Sequence, residues 1–532
     1  MTASLSRRVW ILIGVLVVAA NLPYLVGALN APAGGAFTGN ALEQTRVDYN
    51  SNLARIQLGL RGEWLQRIVF TPEDHPGHLL NTYYLALGQL ARFTGLSAVA
   101  AYHLGRISAM ILMWWVSWRF INFYLEDDRA RWWAFLLATV VGGLGWVLYF
   151  VMPEQTASLA PVEFWLLDAY PFLAALTFPH FSMAVATLVG YWLALEHWRT
   201  SPTWRGALAL GVLAGGLGLL QPFDLLLTAL VTGLLAGVLL WRRKLTTKHI
   251  VTLVPVGMVH AAVVGYDYYA LHSHPVWQAF LRQNLTLSPP PVYYVFAYAW
   301  LLIPAVGGLI AAIRRREGRL LLPALWVLTV PLLLYAPLQT QRRFVMGWQV
   351  GLGVFGALGV VAFWQWWAAR GWSVRFLRLA LTAGLLFATL SHVLLVASSA
   401  LLANPQTRPQ LFLERDQLAA FDWLKTQPVD TVVFSSFETG GAVAAFTGRR
   451  VYIGHWIETP DFEARQALAE RFYTADAMSN DERQALLMAG GIDVVWWEAS
   501  GEENPALWRP ATAEFLAPAF ESGNIALFEV TR

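Results

Sequence analysis

Apolar runs of about 20 residues recur along this chain, each the length an α-helix needs to cross a bilayer core. Eleven stand near 10–29, 106–125, 131–151, 178–198, 206–220, 222–241, 248–270, 292–313, 319–338, 344–369 and 373–399. The short loops between them gather the basic residues: Arg7-Arg8, Arg199 with Arg205, Arg242-Arg243-Lys244 with Lys248, Arg314-Arg315-Arg316 with Arg319, and Arg370 with Arg375. Positively charged loops stay in the cytoplasm. That rule predicts a cytoplasmic N-terminus and places the long loops 30–105, 152–177 and 271–291 outside, with the C-terminal domain. The first run follows Arg7-Arg8 as a signal peptide would, but it lacks a convincing cleavage site and reads as a retained anchor. Leu79–Thr94 is apolar too; counting it as a span reverses every later loop, so it reads as an interfacial helix.

After residue 402 the pattern changes. An amphipathic helix over 409–427 precedes four short buried strands, 431–434, 451–453, 493–497 and 525–530, with helices near 460–473 and 480–489 between them. Strands alternating with helices define an α/β domain. The predicted fold is therefore a mainly α, polytopic membrane protein of about eleven transmembrane helices (residues 1–402) with a small extracytoplasmic α/β domain (403–532). Hydrophobic residues make up 57% of the chain and charged ones 13%, which fits that division. Residues 404–532 hold 19 acids and 10 bases although the whole chain is +3, so the positive charge belongs to the membrane part. Such a distribution points to lipid headgroups and away from nucleic acid. The absence of cysteine excludes disulfides, thiolate zinc and iron–sulfur clusters.

The glycine clusters Gly142-Gly143-Leu144-Gly145, Gly215-Gly216-Leu217-Gly218 and Gly351-Leu352-Gly353 look like phosphate loops, but they fall inside predicted spans. There, small residues let helices approach closely.

Candidate chemistry concentrates in the outer loops. Leu53, Ile56, Leu60 and Trp64 recur at helical spacing, while Asp48, Asn52 and Arg55 share the opposite stripe. The pattern predicts a helix lying flat, its apolar face in lipid and its acid toward a cavity. In the second loop Asp168 stands in Asp168-Ala169-Tyr170-Pro171-Phe172, ahead of Pro179-His180-Phe181, and Glu163 competes for the same part. Solvated surface is the plain alternative for a loop acid. Gln221-Pro222-Phe223-Asp224 reads either as ordinary helix-start chemistry or as a substrate contact. Arg342 and Arg343 lie on the outer face against the positive-inside trend. Paired guanidiniums there fit a phosphate, with an anionic headgroup as the alternative. Asp74-His75-Pro76-Gly77-His78 offers two imidazoles without a compact third ligand, so a metal is not favoured. Glu126-Asp127-Asp128 lies on the cytoplasmic side and reads as a solvated cap.

The outer acids, the arginine pair and the order of spans together resemble the C-type (GT-C) glycosyltransferase superfamily, which includes protein mannosyltransferases and aminoarabinose transferases. Thr71 to Gly77, Tyr83-Tyr84 through Leu87-Gly88, and Tyr102-His103 with Arg106 look like the outer-loop pattern of bacterial members. Phe446 to Trp456 is similar to the end of a bacterial group in that superfamily. The resemblance implies transfer of a sugar from a polyprenyl-phosphate-linked donor to a glycan, lipid or protein acceptor at the outer face. Catalytic Asp48 and Asp168 would be joined by substrate-binding Arg342, Arg343, His75, His78, Arg106, His180, Gln221 and Asp224, with no cofactor. Relatives often carry His before the mid-chain proline where this chain has Gln221, which removes an acid/base group from that turn. A phosphate leaving group needs charge stabilisation, a part for the arginine pair, and the acceptor hydroxyl needs a base, a part for Asp48. Direct displacement inverts the anomeric carbon. The C-terminal domain, acidic and without an obvious nucleophile arrangement, is expected to serve acceptor recognition or steric shaping, with chemistry confined to the membrane part. Two other classes compete: a flippase or transporter of lipid-linked sugars, which calls for mid-span ionisable residues that are scarce here, and a non-catalytic envelope scaffold.

Topology is directly measurable. A reporter fused after Arg532 is expected to read the outer compartment and one fused near Lys244 the cytoplasm; a cytoplasmic signal after Arg532 overturns the placement of every loop residue above.

Overall fold

The computed structural model describes residues 3–154, 161–499, 507–510 and 513–531. Among them six helices are long and apolar enough to cross a membrane: Leu5–Leu29, Ala98–Tyr124, Asp224–Trp241, Thr247–His272, Pro291–Arg314 and Trp348–Ala369. Val374–Ala388 and Leu390–Leu401, bent by 42° at their junction, make a seventh if taken as one span. By helix length and composition this is a multi-pass membrane protein, with fewer full-length spans than the eleven apolar runs.

The difference has local causes. The run 131–151 is helical only to Thr139, within the helix Asp128–Thr139; the glycines that follow are poor helix formers. The backbone they release is satisfied by neighbouring helices, with Gly142 N–H donating to the Ala388 carbonyl at 2.8 Å and Leu144 N–H to that of Phe296 at 2.9 Å. A membrane interior permits irregular backbone only on such terms. Trp204–Leu220 and Gly318–Leu333 are apolar but short. Pro179–Thr200 carries Glu196 and Arg199, paired with each other one helical turn apart. Residues 155–160 of the predicted loop 152–177 lie outside the described residues.

The chain forms two compact units, and they do not divide at residue 402. The helical unit comprises Met1–Pro23, Gly105–Tyr266 and Thr286–Ser399. Its close helix contacts are made at glycines, as the sequence suggests. A methyl group on Gly308 would overlap the Phe355 carbonyl, and one on Gly359 the Pro304 carbonyl, so helices Pro291–Arg314 and Trp348–Ala369 touch backbone to backbone. On the predicted cytoplasmic side, Asp127 caps the helix Asp128–Thr139 by accepting from Ala130 N–H at 3.1 Å, Asp128 pairs with Arg131 at 2.7 Å and Glu126 with Arg319 at 2.5 Å. The acidic triplet is a cap.

The second unit comprises Tyr24–Leu104, Asp267–Leu285 and Ala400–Arg532. A short antiparallel pair joins β1 (Ala36–Phe37) to β2 (Phe412–Leu413). The main sheet contains β3 (Val432–Phe434), β4 (Arg450–Val451), β5 (Val494–Glu498), β6 (Leu516–Ser522) and β7 (Ile525–Val530), in the order β4-β3-β5-β7-β6. The first three are parallel and joined through helices, and β6–β7 is an antiparallel hairpin. Sequence pattern predicts four of these five; β6 escapes because Pro518 interrupts it. The proline is tolerated on an edge strand, beside a register shift between Pro518 and Phe520.

The first-loop helix, Arg46–Leu60, lies in this unit. Its face bearing Leu53 and Ile56, both 0% exposed, is buried in protein, which corrects the expectation that it meets lipid. Gly59 and Gly88 let it touch the helix Thr82–Thr94. At 13 residues that second helix is about 20 Å long, too short to cross a core about 30 Å thick.

Gly308→Val is expected to destabilise the protein by about 1–3 kcal/mol through overpacking, while Gly307→Val, with open space at its Cβ, leaves stability nearly unchanged. Thermal unfolding in detergent measures both, and equal melting temperatures would remove the close-approach role.

Candidate functional site

In the helical unit, buried charges differ in how they are matched. Arg106 is 0% exposed. Its guanidinium donates to the carbonyls of Ala20 and Ala175, each at 3.2 Å, and to Asn21 Oδ1 at 2.6 Å. Those bonds give it a fold-holding role. Glu163 is equally buried; its Oε1 accepts from Trp146 N–H at 3.1 Å and from the Ser391 hydroxyl at 3.4 Å. Burial raises its pKa, and these hydrogen bonds oppose the rise. Gly143 and Gly145 press against its carboxylate, leaving no room for a Cβ. Glu163 anchors the segment that interrupts the run 131–151.

Asp168 is held differently. Its neighbours are clamped by two stacked tyrosine rings, 5.2 Å apart: Tyr170 donates to the Ala297 carbonyl at 2.6 Å and Tyr298 to that of Ala169 at 2.5 Å. The carboxylate, 1% exposed, accepts from Arg343 Nη1 at 3.2 Å. Arg343 also lies over the Phe181 ring at 5.6 Å, and Arg342 over Trp165 at 5.0 Å. Both arginines belong to the short 3₁₀ turn Gln341–Val345, where Arg342 N–H donates to the Thr286 carbonyl at 3.0 Å. His180 stacks on Phe178 and lies tilted against Phe181 at the start of its helix.

Asp224 opens the helix Asp224–Trp241. It is 0% exposed, and neither carboxylate oxygen has a hydrogen-bond partner among the described residues. Asp168 and Arg343 lie within electrostatic range of it. Gln221, 5% exposed, likewise buries an Nε2 without a partner. Buried polar atoms are almost always paired, so water or a polar ligand would complete these. The fold thus brings together Asp168, Asp224 and Arg343, which stand far apart in sequence. Tyr170 and Tyr298, which sequence reasoning missed, position the first of them.

In the second unit Asp48, Ser51, Asn52 and Arg55 line one face of the first-loop helix. Arg55 donates to Asn52 Oδ1 at 2.6 Å and to Glu458 Oε1 at 2.7 Å, and the Ser51 hydroxyl bonds the same oxygen. Asp48 Oδ1 lies 3.3 Å from His455 Nε2. His455 and Glu458 are 407 and 403 residues from Asp48 and Arg55, beyond the reach of any spacing rule.

His75 and His78 do not form a metal pair. His75 Nε2 accepts from Ile68 N–H and its Nδ1 donates to the Glu73 carbonyl, each at 2.9 Å. Burial lowers its pKa and favours that neutral form. His78 bonds the Ser273 hydroxyl at 2.7 Å, and both rings pack on Trp277. These contacts hold the 66–78 loop. Among the described residues no group of three or more His, Asp and Glu side chains is arranged to hold a metal ion.

The chain matches no protein-family model and no curated protein. It is similar to several solved structures. Archaeal oligosaccharyltransferase AglB from Archaeoglobus fulgidus, in complex with an inhibitory peptide and a dolichol-phosphate, is 14% identical over 91% of this chain and 69% of its own, with a TM-score of 0.49. ArnT from Cupriavidus metallidurans, bound to undecaprenyl phosphate, is 12% identical over 98% of each chain, with a TM-score of 0.49. The mycobacterial arabinofuranosyltransferase AftD is 14% identical over 97% of this chain and 40% of its own, with a TM-score of 0.46. These solved structures are of glycosyltransferases, the class that the outer-loop pattern resembles. At such identities and TM-scores the likeness transfers no substrate and no catalytic residue to this chain.

The two second-loop acids are separable. Glu163→Ala is expected to lose about 1–3 kcal/mol of stability by stranding buried N–H groups, whereas Glu163→Gln keeps an acceptor oxygen and most of the stability. If thermal unfolding ranks the two variants equally, Glu163 is not the anchor.

Proposed function

We propose that this chain is a polytopic membrane glycosyltransferase that moves a sugar from a polyprenyl-phosphate-linked donor to an acceptor on the outer face of the membrane. The supporting observation is the cluster of Asp168, Asp224 and Arg343 in a multi-span unit, with both Asp224 oxygens buried and unbonded. A carboxylate in that state is costly unless something completes it. Sugar hydroxyls would donate to the acids, and a phosphate would accept from the guanidiniums. A sugar phosphate on a hydrocarbon tail supplies both groups and belongs in lipid.

In the reaction the acceptor oxygen attacks the anomeric carbon, and the bond from that carbon to the phosphate oxygen breaks. The bonding pair leaves with the phosphate, whose growing charge Arg342 and Arg343 stabilise. The acceptor's proton needs a general base, and Asp48 is assigned that part from its place in the first outer loop of the sequence. One displacement inverts the anomeric centre. Asp168 orients Arg343 and, with Asp224, the sugar.

Two variants separate the roles. Asp48→Asn is expected to lower single-turnover rate by roughly 100-fold while leaving affinity for undecaprenyl phosphate unchanged. Gln at both 342 and 343 is expected to weaken that affinity by about 1.5–3 kcal/mol per lost charge-assisted bond, with Lys restoring only part because it lacks the planar fork. Equal affinity of wild type and the double Gln variant would remove the arginines from the site, and an unimpaired Asp48→Asn would remove the base.

A further inference from the structure

We infer that His455 is a positioning residue for Asp48, so that the C-terminal α/β domain completes the first-loop acid. The inference rests on the assignment of Asp48 as base. His455 follows β4, at the end of a turn built around Gly454. A Cβ on Gly454 would lie 2.8 Å from Gly440, Gly441 and Phe70 atoms, so only glycine fits. The ring is buried, with 4% of the side chain exposed, while 47% of the Asp48 side chain is exposed.

The orientation of the imidazole is fixed from its far side. Nδ1 accepts the backbone N–H groups of Ile457 and Glu458 at 3.1 and 3.2 Å. With Nδ1 occupied as an acceptor, the ring hydrogen sits on Nε2, which donates to Asp48 Oδ1 at 3.3 Å. His455 in this tautomer has no basic nitrogen to offer a substrate. What it offers is a donor of fixed direction, and a carboxylate held by such a donor keeps its orientation. Glu458 secures the same turn from the other side, because its Oε1 receives Arg55 and Ser51 from the helix that carries Asp48. This network ties the acid's helix to the outer domain at both ends of the His455–Glu458 turn. It revises the expectation that the C-terminal domain serves acceptor recognition or steric shaping alone.

Two substitutions distinguish positioning from mere folding. His455→Asn keeps an acceptor near the Nδ1 position, so the turn stays capped, but it does not reach Asp48. His455→Gln places an amide N–H near the Nε2 position, so it reaches Asp48 but leaves the turn uncapped. The assay uses membranes of a strain lacking the gene that carry each full-length variant at equal level. The donor is the polyprenyl-phosphate sugar pool extracted from the deletion strain. His455→Asn is expected to lower the maximal rate by roughly 10- to 100-fold, the scale of a misplaced catalytic group, with half-saturating donor unchanged. His455→Gln is expected to retain most of the rate, and His455→Asn is expected to add nothing to Asp48→Asn. A fully active His455→Asn beside an inactive Asp48→Asn overturns the positioning role and leaves the base standing. The reverse ranking, with Gln worse than Asn, makes His455 a structural residue and also overturns it. A wild-type rate from Asp48→Asn overturns both assignments together.

Discussion

A charge withdrawn from water must be met by an opposite charge or by directed hydrogen bonds, and that requirement organises this chain. Arg106, in the helical unit, is answered by backbone carbonyls. Glu163 is answered by a backbone N–H and a hydroxyl, at a place where glycines clear the space. In the other unit Arg483, 2% exposed, donates to the Phe472 carbonyl, and Arg449, 5% exposed, to that of Leu424. Each is engaged by the fold, although Glu163 keeps its Oε2 without a hydrogen-bond partner among the described residues.

Against that background Asp224 stands apart. It is as buried as Arg106, yet both its oxygens lack a bond. Glu163, an acid in the same predicted loop as Asp168, differs from Asp224 in degree, with one oxygen bonded and the other not. Asp168 lies between these cases, paired with Arg343 through one bond of 3.2 Å and fixed by two tyrosines.

Much of this was legible in the sequence because it depends on local pattern. Helix-length apolar runs, the adjacent arginine pair and the polar stripe of Asp48, Asn52 and Arg55 all follow from spacing. The number of full spans was less legible, since hydropathy does not register that three glycines end a helix whose freed backbone finds partners at Ala388 and Phe296. The apolar face of the first-loop helix was assigned to lipid because composition does not distinguish lipid from a protein neighbour such as Gly88. His455 and Glu458 were hidden for a topological reason: the chain returns more than 400 residues later to meet Asp48 and Arg55. The motif containing His455 attracted notice only as a likeness.

The central claim is chemical, transfer of sugar from a polyprenyl phosphate. Mass spectrometry of envelope glycans and of polyprenyl-phosphate sugars, with and without this protein in its own host, tests it most directly. The account predicts that loss of the protein removes one glycan modification while its polyprenyl-phosphate sugar persists or accumulates, and that restoring the intact chain reverses both changes. Unchanged glycans and an unchanged lipid-linked sugar pool would contradict it.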